Sequence, residues 1–156
     1  MNTTAQTGFT LLELVITVAI AGLLGAIALP NLFQQVADNR ARTLLNILAT
    51  DVQWARGQAA SGGKQVTLTY NNPGCTWQVS VGGAADAKHS MASAQLASGG
   101  YGRVTCSGGT LTLTFNADGS VTGVPAAALQ FSAGGQVYSA LLLASGSVIL
   151  NPSQAS

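Results

Sequence analysis

The residues able to do chemistry are few and widely spaced. Glu13 is a carboxylate inside an otherwise apolar run, where it costs roughly 2.5–3.5 kcal/mol unless it is paired or close to the interface. An ionisable group so placed is read as functional. The other acidic candidates, Asp51, Asp86 and Asp118, are far apart in sequence, and Asp118 sits in a turn. His89 lies beside Lys88 and Ser90 in an Ala/Ser/Gly-rich stretch, which reads as a solvated loop histidine. Nothing marks a nucleophile, base and orienting group acting together, so catalytic residues are expected to be none. Gly63-Lys64 has the ending of a phosphate loop, but Gln65 replaces the Ser/Thr and Gln58 the first Gly that such a loop uses. It reads as a helix stop followed by a strand. Trp54 and Trp77 read as core or helix–sheet contacts.

Cys75 and Cys106 are the only cysteines. In a domain outside the cytoplasm such an even pair reads as one disulfide. Two buried thiols and a metal half-site are the alternatives, and a single histidine makes the metal reading poor. Neither a metal nor a cofactor is expected.

Composition narrows the class. The 156 residues carry six Lys+Arg against five Asp+Glu, and only 7% are charged, well below the ~25% usual for a soluble domain. With 47% apolar residues the chain is not disordered. It lacks the cationic excess of a strongly basic nucleic-acid binder. Such a weakly charged chain suits an exported protein or an assembly subunit.

The element that must position Glu13 is the apolar run Phe9–Leu29, FTLLELVITVAIAGLLGAIAL. As a helix it would reach about 31 Å, close to a bilayer's hydrocarbon thickness. Met1–Gly8 contains no Lys or Arg, and Leu29-Pro30-Asn31 is no A-x-A site, so the run is not a secretory signal peptide. Pro30 is expected to kink the helix. Ala21-x-x-x-Gly25 and Gly22-x-x-x-Ala26 have the spacing that permits close helix packing. Beyond them Ala41, Leu45, Leu48, Val52, Ala55 and Ala59 form an amphipathic stripe for packing on the following domain. Gly62-Gly63 ends the helix.

Gly8-Phe9-Thr10-Leu11-Leu12-Glu13, followed by an apolar helix, resembles the type III signal of type IV pilins and type II secretion pseudopilins. The resemblance implies cleavage between Gly8 and Phe9 by a prepilin peptidase and N-methylation of the Phe9 amine. It also implies partners: other pilins or pseudopilins, and the inner membrane. Phe9 and Glu13 stand at i and i+4 on one helix face, so in a filament Glu13 could pair with the new amine of a neighbouring subunit. Two departures stand out. The leader lacks a basic residue, and Arg40 and Arg42 follow the helix, so charge counting alone would place the C-terminal part in the cytoplasm. The resemblance implies the reverse, a periplasmic C-terminal domain.

After Gly63 the pattern alternates. Lys64–Tyr70 and Thr76–Val81 flank the turn Asn71-Asn72-Pro73-Gly74; Thr110–Phe115 and Ser120–Val124 flank Asn116–Gly119; Val137–Leu143 and Ser147–Leu150 flank Ser145-Gly146. These are three hairpins. Residues 82–102 read as a long loop. The expected fold is therefore α+β, a long helix packed on a small antiparallel β domain. Its divisions are a leader at 1–8, a membrane or filament-core helix at 9–29, its amphipathic continuation at 30–61 and a periplasmic β domain at 64–156.

The order of features resembles the FimT/GspH group of minor pilins and pseudopilins: Ala55-Arg56-Gly57-Gln58-Ala59 at the helix end, Val66-Thr67-Leu68, Trp77, and Phe115-Asn116-Ala117-Asp118-Gly119. DNA-uptake members of that group resemble one another in a Gly-Arg-x-Arg element on a terminal hairpin. Ser145–Leu150 occupies that place without either arginine. The remaining cations of the β domain, Lys64, Lys88 and Arg103, are scattered, whereas phosphate affinity needs several cations acting together. A structural filament subunit is therefore the leading expectation. A DNA receptor of a competence pilus is the disfavoured alternative, and an anchored domain that never polymerises is a third.

Overall fold

The computed structural model describes residues 10–153. One helix dominates it: α1 runs from Leu11 to Gly62, 52 residues without a break, and passes through Pro30. Thr10 caps its start, the Thr10 Oγ1 accepting the Glu13 backbone N–H at 3.2 Å. Thr10-Leu11-Leu12-Glu13 thus has the spacing of a capping box, and the Glu13 carboxylate lies at the positive end of the helix dipole. Gly63 stops the helix in the left-handed region, φ 60°, where glycine carries no Cβ penalty.

Two antiparallel sheets cover the second half of α1. The first has the order β3-β2-β1-β5-β6, built from β1 (Val66–Asn71), β2 (Thr76–Val81), β3 (Ala84–Met91), β5 (Leu111–Phe115) and β6 (Val121–Thr122). The second has the order β4-β7-β8-β9, built from β4 (Thr105–Ser107), β7 (Leu129–Ala133), β8 (Gln136–Leu142) and β9 (Val148–Ser153). A short helix, α2 (Ser93–Ser98), links β3 to β4. This is the α+β architecture expected, with all three expected hairpins formed.

The core sits between α1 and the sheets. Ala41, Leu44, Leu45, Leu48, Val52, Ala55 and Ala59 of α1 are buried against Val66, Leu68 and Tyr70 of β1, Trp77 and Val79 of β2, Leu113 and Phe115 of β5, and Leu129 and Phe131 of β7. The alternation along β1 puts every second side chain inside, as period-two strands with one buried face require. Each large apolar side chain so buried contributes roughly 1.5–3 kcal/mol.

Residues 82–102 are not a long loop. They contain β3 and α2. Composition hides them, because Ala, Ser and Gly carry little strand preference. The strand is held instead by its ladder to β2, interrupted by a register shift between Trp77 and Val79. At that irregularity the Ser90 hydroxyl accepts the Val79 backbone N–H at 2.9 Å, replacing the lost backbone partner.

A disulfide joins Cys75 to Cys106. Cys75 ends the β1–β2 turn and Cys106 lies in β4, so the bond ties the first sheet to the second.

Candidate functional site

The two halves of α1 face different surroundings. From Leu11 to Val36 its large apolar side chains are exposed, Leu11 at 81% and Phe33 at 73%. From Ala41 onward they are buried or partly buried. A continuous apolar surface of that extent marks an interaction site or a membrane-facing surface, and this stretch of helix is long and apolar enough to cross a bilayer.

Glu13 interrupts that surface in the first turn. Its carboxylate is exposed and has no ion-pair partner among the described residues; the Thr10 hydroxyl lies 3.4 Å from its Oε2. The helix therefore presents a single carboxylate at the N-terminal end of an apolar cylinder. Gly8 and Phe9 lie outside the described residues.

Inside the domain a polar cluster forms that sequence reasoning missed. Asp51, on the buried face of α1, is only 7% exposed. Its Oδ2 accepts the Trp77 Nε1–H at 2.8 Å and its Oδ1 lies 3.0 Å from His89 Nδ1. A carboxylate only accepts, so Nδ1 carries the hydrogen. The His89 ring stacks on Trp54 with centroids 3.7 Å apart and planes 10° from parallel. His89 is thus not a solvated loop residue: it lies in β3 and closes the seam between that strand and α1. No hydroxyl or thiol partners the imidazole among the described residues, so a serine- or cysteine-type triad is not assembled there. The i, i+3 spacing of Asp51 and Trp54 placed both on one helix face. Nothing local announced that His89 would meet them across 38 residues of chain.

Asp86 organises the start of this strand, its Oδ1 accepting the backbone N–H groups of Lys88 and His89. Asp118 stays in its hairpin turn, where the side-chain and backbone hydrogen bonds from Ser120 hold its carboxyl below the usual range. Lys64 follows the helix stop, where a Cβ on Gly82 would stand 3.6 Å from its Cδ. Arg56 of α1 lies against the β8–β9 turn, where a Cβ on Gly146 would come within 2.9 Å of its Cδ. The helix thus supplies one arginine to a hairpin that has none of its own. Tyr70 is fully buried, its hydroxyl has no hydrogen-bond partner among the described residues, and burial pushes its pKa up to about 12.

Comparison with known proteins bears on both halves. The model of a family described as type II transport protein GspH matches residues 45–147. The chain belongs to the GspH family. A second model, the prokaryotic N-terminal methylation motif, matches residues 3–29. No curated protein and no solved structure matches the chain significantly. For a GspH-family pseudopilin or minor pilin the division along α1 acquires a meaning. The buried half belongs to the family domain, and the exposed half carries the methylation motif of a membrane-anchored, pilin-like subunit.

Proposed function

We propose that this GspH-family chain is a minor pseudopilin, acting at the initiation or tip of a type II secretion pseudopilus or a related type IV pilus. A prepilin peptidase cleaves between Gly8 and Phe9, and the Phe9 amine is N-methylated. Residues 9–29 hold the chain in the inner membrane, with residues 64–156 in the periplasm, until the helix moves from bilayer to filament. Pro30 gives the bend between the membrane segment and the continuation at 30–61. Glu13 sets register by pairing with the methylated amine of a neighbouring subunit, which offsets the cost of a carboxylate in an apolar setting.

The observation that carries this reading is the contrast along α1. Its first half is apolar, unburied and interrupted by one carboxylate, while its second half is the core of a disulfide-tied domain. The domain has no use for the first half, so another surface must cover it: lipid first, other subunits afterwards. In the DNA-receptor reading, Arg56 is the cation lining the recess at the terminal hairpin turn among the described residues, and one cation neutralises too little phosphate to bind duplex DNA at physiological salt.

The test is the N-terminal residue and intact mass of the membrane-extracted protein, with and without the peptidase. A chain that begins at N-methylated Phe9 only when the peptidase is present supports the reading. A chain that still begins at Met1 in its presence overturns it.

A further inference from the structure

Arg40 and Arg42 follow the apolar helix, and neither packing nor the proposed orientation calls for positive charge at that place. Arg40 has a counterpart in the fold. It lines a recess of about 450 Å³ with Phe33, Val36, Arg103 and Val104, where α1 leaves its apolar stretch and meets the loop after α2. That loop is built rather than loose. Leu96 and Val104 are buried, the Tyr101 N–H donates to Leu96 O, the Val104 N–H donates to Tyr101 O, and the disulfide at Cys106 follows. Arg40 lies directly on its backbone: a Cβ on Gly100, itself at φ +76°, would stand 3.3 Å from the guanidinium carbon.

Neither guanidinium has an ion-pair partner among the described residues. Asp38 is the sole carboxylate of α1 between Glu13 and Asp51. Its Oδ1 is turned to the β7–β8 connection, where it accepts the Gln136 backbone N–H at 3.2 Å. The recess is therefore cationic at one rim and apolar at the other.

Helix length sets its depth. The exposed apolar surface from Leu11 to Val36 is about 38 Å long at ~1.5 Å per residue, more than the ~30 Å of hydrocarbon it must match. A tilt that keeps this whole surface in hydrocarbon sets Phe33 and Val36 at its edge and Arg40 and Arg103 at the level of the headgroups.

We propose that this recess binds the headgroup phosphate of an anionic phospholipid, with Arg40 and Arg103 on the phosphate and Phe33 and Val36 against the start of the acyl chains. The proposal rests on α1 being a membrane anchor, but not on polymerisation. Arginine forks suit phosphate geometry, and long cationic side chains beside an apolar rim are arranged to snorkel. Bound lipid would hold the domain at a fixed height on the membrane before assembly.

The test uses the full chain reconstituted in nanodiscs of equal phosphatidylglycerol and phosphatidylcholine, released for native mass spectrometry with retained lipids counted. The wild type is expected to retain phosphatidylglycerol preferentially. Arg40→Gln and Arg103→Gln should each lower that retention about fivefold, and the pair about thirtyfold, the size expected for cations at a membrane surface. Lys88→Gln, a cation of β3 outside the recess, should leave it unchanged. Equal retention of the two lipids, or a preference that survives the double variant, overturns the proposal while leaving the anchor reading intact. A chain that does not enter the nanodisc overturns both.

Discussion

Asp51 and His89 meet across the seam between α1 and β3, Oδ1 to Nδ1 at 3.0 Å, while the other oxygen of the same carboxylate accepts the Trp77 indole N–H at 2.8 Å. One buried carboxylate thus connects the helix to two neighbouring strands. The arrangement is structural because its polar atoms are turned toward one another.

Removing the carboxylate should therefore cost more than its place on a helix suggests. Asp51→Ala strands the N–H of Trp77, a side chain only 2% exposed, and an unsatisfied buried donor costs about 1–3 kcal/mol. His89→Ala removes the stack on Trp54 and leaves Asp51 short of a partner, again about 1–2 kcal/mol. Because the residues touch, the double variant should lose less than the two single losses added together. Urea unfolding of the detergent-solubilised chain measures all three. Strict additivity would show that the seam is not one unit.

The disulfide should act chiefly on the unfolded chain. Cys75 and Cys106 are 31 residues apart, and closing a loop of that length corresponds to about 3–4 kcal/mol in the chain-entropy model. It also joins the β1–β2 turn to β4 in the other sheet, so its loss should first loosen the loop that carries Arg103. The Cys75→Ser, Cys106→Ser double variant should show a lower unfolding midpoint, with hydrogen exchange raised around residues 99–107. Exchange raised evenly over both sheets would contradict this order of loss.

How much of this was legible beforehand depended on whether a residue's partner was local. The apolar run of α1, the stripe from Ala41 to Ala59, and the hairpins at Asn71–Gly74 and Asn116–Gly119 could all be read, because each rests on spacing along the chain. β3 and α2 could not: Ala84–Met91 is a strand because β2 lies beside it, and composition alone argues for a loop. β4 has only three residues, too short for alternation to stand out. His89 shows the same limit for side chains. Its type was noticed, but its setting comes from a helix and a strand that fold together.

Tyr70 gives a pH dependence whose sign is fixed by its burial. Its folded pKa of about 12 lies above the ~10 of an exposed tyrosine, so the native state holds the phenol proton more tightly than the unfolded chain does. The associated stability is fully present below pH ~10 and is lost as pH rises from there through about 12, roughly 2–3 kcal/mol in all. Tyr70→Phe removes a hydroxyl with no partner among the described residues. The variant should be at least as stable as wild type at pH 7, by up to about 1 kcal/mol, and should lose this part of the alkaline decline. An unchanged decline in the variant would assign it to other groups.

Glu13 separates a filament subunit from a plain anchor. Its carboxylate sits in the first turn of α1, beside the Thr10 cap, so Glu13→Ala removes a favourable charge at the helix N-terminus, worth about 0.3–1 kcal/mol. That loss is too small to unfold a helix whose second half is buried under two sheets, and an anchor without the carboxylate is more apolar than before. Membrane retention, disulfide formation and the unfolding midpoint should accordingly be unchanged. Incorporation into sheared filaments, or crosslinking to neighbouring subunits, should fall at least tenfold, because a missing pair in an apolar setting is worth more than ~1.4 kcal/mol. Glu13→Gln keeps the shape and loses the charge, so it should resemble Ala if pairing with an amine is what matters. Assembly at the wild-type level in both variants would show that the carboxylate only caps the helix, and the register role proposed for it would have to be abandoned.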